Sequence, residues 1–175
     1  MFKGSIVAIA TPFINGKVDE ASLKKLVEFQ IKSGTNGIVP CGTTGESPTL
    51  NNEEHEHVID VCIQTAKGRV PIIAGTGSNS TAEAVALTKH AEKMGADGVL
   101  QVSPYYNKPT QEGLYRHFKA VSECSKLPII LYNIAGRTAV NIEPTTVARL
   151  ARDCKNIVGV KEASGSLDQM QTTKM

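Results

Sequence analysis

Apolar and polar positions alternate along this chain in a repeating unit. A short run rich in β-branched residues is followed by a polar, glycine-rich turn and then by an amphipathic stretch closed by glycine or lysine. The apolar runs begin near Ser5, Gly37, Val70, Gly98, Pro128 and Asn156, so successive units are about 32, 33, 28, 30 and 28 residues long. That is the length of a strand plus a crossover helix, and six such units in series predict a parallel sheet covered by helices, an α/β fold. Asp19 ahead of Leu23, Leu26, Val27 and Ile31, and Ser80 or Thr81 ahead of Ala84, Val85 and Leu87, predict helices with polar N-caps. Pro144 fits a first helical turn. The near-copies Ser33-Gly34-Thr35-Asn36-Gly37 and Met94-Gly95-Ala96-Asp97-Gly98 place glycine where a helix ends and the chain returns to the sheet.

Two architectures accommodate this pattern. An eight-unit barrel needs roughly 240 residues, against 175 here, and the chain ends after the sixth strand. A six-stranded doubly wound sheet fits the length. It calls for a G-x-G-x-x-G turn after the first strand, where Ala10-Thr11-Pro12-Phe13 stands instead. Length favours the open sheet and turn chemistry favours the barrel.

Composition narrows the function. With 41% hydrophobic and 21% charged residues, no tryptophan and no bilayer-length apolar stretch, the chain reads as one globular domain over residues 1–175 with no membrane association. A net charge of +2 spread among interspersed acids and bases gives no basic face for nucleic acid. The expected ligand is a small molecule. The N-terminus lacks a basic n-region and a cleavage site, and Cys41, Cys62, Cys124 and Cys154 have no metal-binding spacing, so reduced thiols and a cytoplasmic location are expected.

The chemistry gathers in the turns after the strands. Lys161 ends the apolar run 156–161, where a lysine is either a solvated strand end or a partly desolvated amine able to attack a carbonyl and form a Schiff base. Gly42-Thr43-Thr44-Gly45-Glu46-Ser47 offers close backbone approach, two hydroxyls and several amides to a carboxylate, or alternatively a threonine-capped turn. Tyr105, Tyr106 and Tyr132 lie at two strand ends, as packing anchors or proton-relaying phenols. Arg137 presents a planar fork suited to a carboxylate. His55-Glu56-His57 lacks zinc spacing, since histidines two apart on a helix diverge, and no metal is expected. Gly75-Thr76-Gly77-Ser78-Asn79 lacks the lysine of a phosphate loop and reads as another strand-end loop.

Together the 42–47 loop, Ser103-Pro104-Tyr105-Tyr106-Asn107-Lys108-Pro109, Tyr132-Asn133 and Gly159-Val160-Lys161-Glu162-Ala163 resemble the 4-hydroxy-tetrahydrodipicolinate synthase (dihydrodipicolinate synthase) family over nearly the whole chain. The resemblance implies a TIM (β/α)8 barrel, of which this chain covers about the first six β/α units. It also implies a cofactor-free condensation of pyruvate with aspartate 4-semialdehyde in a homodimer or homotetramer. Lys161 is then the Schiff-base lysine, Tyr132 the proton-shuttling phenol, Thr43 the link to Tyr106, and Tyr106 the relay residue lent across a dimer interface. Thr44, in the loop bounded by Gly42 and Gly45, holds the pyruvate carboxylate, and Arg137 receives the semialdehyde carboxylate. A lysine feedback site maps onto Ser47, His55, Asn79, Glu83 and Tyr105. Related sialic acid and keto-sugar acid aldolases share the lysine and tyrosine; Thr43 and Arg137 favour the synthase. The chain departs from the family pattern at Ala135, where proline is usual, at Asn52, where histidine is frequent, and in the tail 169–175. Six strands cannot close a barrel, so the first and sixth are expected to show open edges and the 175-residue chain alone is expected to lack substantial activity; a non-catalytic remnant that pairs with another chain is the alternative to a catalytic subunit.

Overall fold

The computed structural model describes residues 2–173, which leaves Lys174 and Met175 of the tail outside. Its elements run β1 (Ile6–Ala8), β2 (Phe13–Ile14), β3 (Lys17–Val18), α1 (Glu20–Lys32), β4 (Gly37–Val39), α2 (Asn52–Ala66), β5 (Ile73–Gly75) and α3 (Thr81–Met94). They continue with β6 (Gly98–Val102), α4 (Gln111–Glu123), β7 (Ile129–Asn133), α5 (Ala135–Thr138), α6 (Pro144–Asp153), β8 (Ile157–Glu162) and α7 (Leu167–Thr172). Each of the six predicted runs contains a strand, and the expected helix signals operate. The Asp19 carboxylate accepts from Ser22 N at 3.0 Å, Pro144 stands in the first turn of α6, and Gly34 and Gly95 take φ of +85° and +89° just past α1 and α3. The extra pair β2–β3 is an antiparallel hairpin across Asn15 and Gly16, both at positive φ, as a tight two-residue turn requires.

The chain groups into two compact units, Met1–Thr76 with His90–Val99, and Gly77–Lys89 with Leu100–Met175. In the first, β1 runs parallel to β4 in the register Ile6↔Gly37, Val7↔Ile38 and Ala8↔Val39, and Ile38 bridges onward to Ile72. Leu23 and Val27 of α1, Val58, Ile59 and Cys62 of α2, and Ile38, Ile72 and Ile73 form its core, each at most 2% exposed. Gly75 is dictated by contact, because a Cβ there would lie 2.2 Å from the Cys41 carbonyl oxygen. All four cysteines are free thiols, and burial pushes the Cys62 thiol up to about 12.

In the second unit β6, β7 and β8 are neighbours in that order, and β7 and β8 run parallel. Leu114, Phe118 and Val121 of α4, Ile129 and Leu131 of β7, Ile142, and Val147 and Leu150 of α6 are its buried apolar residues. Among the described residues β8 has no strand partner other than β7.

His117 is buried on α4, with Nδ1 2.9 Å from the Thr81 hydroxyl, and burial lowers its pKa to about 4. A histidine depressed in the folded state contributes stability above the unfolded value near 6.5, and that contribution is lost as pH falls toward the folded value. The loss between those limits is about 3 kcal/mol. We expect the urea midpoint to fall steeply from pH 6.5 to 4 in the parent and less steeply in His117→Gln. Parallel pH profiles for the two would remove His117 from the acid response.

Candidate active site

The ends of β7 and β8 bring four of the polar residues of the second unit together. Their register pairs Tyr132 with Lys161 and Asn133 with Glu162. Side chains alternate along a strand, so the tyrosine and lysine share one face of the sheet and the asparagine and glutamate share the other. Lys161 Nζ stands 4.0 Å from the centroid of the Tyr132 ring, an ammonium over an aromatic face. Tyr132 is buried and Lys161 is exposed, so among the described residues this lysine stands as a solvated strand end. β8 lies at the end of its sheet, and among the described residues nothing pairs with its outer side.

Arg137 occupies the four-residue helix α5, between β7 and α6, and is exposed. Its guanidinium has no hydrogen-bond or ion-pair partner among the described residues, which leaves all its donors for an anion. Ala135, the departure from the family pattern, is the first residue of α5. Proline suits that position, because its fixed φ matches a first turn and the missing N–H has no helical partner there.

On the other face of β7 and β8 lies a network that the sequence reading did not single out. Asn133, fully buried, donates from Nδ2 to both Glu162 oxygens at 3.1 and 3.0 Å and to Asn141 Oδ1 at 2.8 Å, while its Oδ1 accepts from Ile142 N at 3.0 Å. Gln169 of α7 donates from Nε2 to Glu162 Oε2 at 2.9 Å and to Asn141 Oδ1 at 3.0 Å, and its Oε1 accepts from Asn141 Nδ2 at 2.9 Å. Ser164 N donates to Glu162 Oε1 at 2.8 Å. Burial alone would raise the Glu162 carboxyl, but hydrogen bonds from Gln169, Asn133 and Ser164 outweigh it and hold the group below its ordinary range. The sequence signal was available: each residue paired at this site, Tyr132 and Lys161, is followed at once by an amide or a carboxylate.

A second polar cluster in this unit contains three of the residues assigned to feedback. The Ser78 hydroxyl donates to the Glu83 carboxylate, and the Asn79 carbonyl accepts from Asn107 Nδ2 at 3.2 Å. The Tyr105 phenol is pushed up by burial and then by the Glu83 charge, with Ser78 opposing. Next to it Tyr106 is 89% exposed at φ +72°, and Lys108 has φ +45°. Two non-glycine residues in that region mark a strained loop, the kind of cost that is concentrated at functional positions.

In the first unit Thr43–Gly45 forms a single 3₁₀ turn. Gly45 N donates to Gly42 O at 3.0 Å, Glu46 N to Thr43 O at 3.2 Å, and the buried Thr11 hydroxyl fixes Gly45 O at 2.7 Å. Thr43 and Thr44 are exposed, and neither their hydroxyls nor their amides have a protein partner among the described residues. Donors so arranged suit a carboxylate. Ser47 is half-buried in the next turn, and His55 is buried on α2 with its carbonyl facing the Cys41 thiol at 3.5 Å. His57 is exposed and pairs with Glu20 at 3.1 Å, so the two histidines diverge as their spacing predicts.

Structural comparison assigns these units to the (β/α)8 barrel class, of which the chain covers about the first six β/α units. The solved 4-hydroxy-tetrahydrodipicolinate synthase of Methylacidiphilum fumariolicum SolV superposes with a TM-score of 0.97 at 54% identity, covering 99% of this chain and 58% of that one. The chloride-inhibited dihydrodipicolinate synthase of Acinetobacter baumannii, solved with pyruvate, superposes at 0.95 with 55% identity, covering 99% of this chain and 60% of that one. Residues 1–175 match the Dihydrodipicolinate synthetase family, and the chain belongs to it. The 4-hydroxy-tetrahydrodipicolinate synthase of Syntrophus aciditrophicus is 67% identical over 170 residues, which are 97% of this chain and 58% of that protein. The chain thus spans somewhat under two thirds of the length of the relatives it matches.

Proposed function

We propose that the protein containing this chain condenses pyruvate with L-aspartate 4-semialdehyde through a Schiff base on Lys161, giving 4-hydroxy-tetrahydrodipicolinate for diaminopimelate and lysine biosynthesis in the cytoplasm. The observation that carries the reading is Lys161 at its strand end with Nζ over the Tyr132 ring. Similarity to a synthase solved with pyruvate supports the substrate.

The Lys161 amine attacks the ketone carbon of pyruvate, and loss of water leaves an iminium. This electron sink acidifies the methyl group, a proton leaves it, and the enamine adds through that carbon to the aldehyde; the amino group of the semialdehyde then attacks the regenerated iminium carbon, closing the ring as the bond to Lys161 Nζ breaks and the free amine returns. Tyr132 is the phenol placed to move protons at the iminium, with Thr43 and Tyr106 as the remaining members of the relay. Thr44, between Gly42 and Gly45, holds the pyruvate carboxylate through its hydroxyl and amide, and Arg137 takes the carboxylate of the semialdehyde. The working form is a homodimer or homotetramer, with Tyr106 reaching a neighbouring copy. Free lysine regulates the enzyme through Ser47, His55, Asn79, Glu83 and Tyr105.

The test is the condensation assay, run on this chain and on the same residues joined to the remaining length of the Syntrophus relative. Arg137→Ala should raise KM for the semialdehyde about 10–100-fold, the loss of a charge-assisted contact worth about 1.5–3 kcal/mol, and leave KM for pyruvate close to the parent value. Failure of the extended protein to form product would overturn the reading; an unaltered KM for the semialdehyde would release Arg137 from its role.

A further inference from the structure

We infer that Asn133, Asn141, Glu162 and Gln169 are positioning residues for this reaction: their side chains tie the strand end that bears Lys161 to the segment that bears Arg137, with Gln169 closing the tie. The inference rests on the function proposed above and adds residues to which that function assigns no part.

The hydrogen-bond inventory makes the arrangement unambiguous. Glu162, ionised, only accepts, and Ile142 N only donates. The Asn133 amide therefore has one workable orientation, Nδ2 toward the carboxylate and Oδ1 toward Ile142. Gln169 is fixed likewise, since its oxygen cannot face a carboxylate, and this sets the Asn141 amide in a reciprocal pair with it. Both hydrogens of Gln169 Nε2 are used, one on Glu162 and one on Asn141. A fully satisfied network of this kind specifies one geometry, and a partly satisfied one does not.

Its location gives that geometry a use. Asn133 and Glu162 follow Tyr132 and Lys161 in the same register and grip the two strands from the face opposite the tyrosine and lysine. Asn141 lies at the far end of the segment 134–142 that begins after Asn133 and includes Arg137. Asn133, Asn141 and Ile142 therefore pin both ends of that segment to the strands, and Gln169 holds Asn141 and Glu162 at once. Reacting groups misplaced by about 1 Å cost up to about 10²-fold in rate, so releasing this tie should be visible in the chemistry at Lys161 without a change in any group that touches pyruvate.

The experiment follows borohydride trapping of pyruvate on Lys161 in the 175-residue chain, with rate and pyruvate dependence measured for the parent, Gln169→Ala, Glu162→Gln, Gln169→Glu, and the exchange Glu162→Gln/Gln169→Glu. Gln169→Ala should slow maximal trapping about 10-fold at an unchanged half-saturating pyruvate concentration. Gln169→Glu, which sets two carboxylates together, should slow it further. The exchange restores one carboxylate and one amide to the network and should recover at least half of the parent rate, which a merely destabilising pair of substitutions would not do. Equal trapping in the parent and Gln169→Ala, or an exchange no better than its worse single variant, would overturn the inference. If Glu162→Gln does not fold, the comparison of Gln169→Ala, Gln169→Glu and the exchange still decides. Absence of any adduct in a folded parent would overturn the proposed function and this inference with it, whereas an adduct that is insensitive to Gln169 overturns the inference alone.

Discussion

Lys161→Ala is expected to abolish the condensation, lowering kcat by about 10⁴-fold or more, because in the proposed mechanism both carbon–carbon bond formation and methyl acidity depend on an iminium at Lys161. Lys161→Arg should fail equally, since a guanidinium keeps its charge and has no nucleophilic lone pair at neutral pH. Stability should change little in either variant. The side chain is exposed and its contact with Tyr132 is a surface cation–π pair, worth about 0.5–1 kcal/mol. Thermal melting beside steady-state kinetics separates the two quantities. A Lys161→Ala protein that turns over within 10-fold of the parent would place the nucleophile elsewhere.

The second large effect is expected at Tyr132. Removing its hydroxyl in Tyr132→Phe deletes the proposed proton carrier and keeps the ring, so kcat should fall by about 10²–10⁴-fold while the packing of this buried aromatic is retained. The ring, and not the hydroxyl, supports Lys161 Nζ, so iminium trapping should survive in Tyr132→Phe even as turnover collapses. Loss of both would mean that the hydroxyl is needed already for iminium formation, before any later proton transfer. An unchanged kcat would return Tyr132 to a packing role.

What was legible in the sequence followed from short-range rules. Strand positions came from β-branched runs at even spacing, and helix starts came from Asp19, Ser80 and Pro144. The glycines at 34 and 95 end their helices in the left-handed backbone that their spacing announces. The Asn15-Gly16 hairpin is equally local, but its flanking strands of two residues each are too short to stand out as apolar runs. The exposure of Lys161 was not legible from its neighbours, since Ile157, Val158 and Val160 read the same whether or not a strand lies beyond β8. Burial at an edge is a property of pairing, not of pattern. The Asn133–Glu162–Asn141–Gln169 network joins residues up to 36 positions apart, and only the β7–β8 register reveals that an amide and a carboxylate following two strand-end residues must meet.

Identification of the modified residue tests the central claim most directly. The protein is incubated with pyruvate, reduced with borohydride, digested and mapped by mass spectrometry. The account requires one adduct per chain, at Lys161, absent when pyruvate is omitted and absent in Lys161→Ala. A folded sample that yields no adduct, or yields it at another lysine, would contradict it.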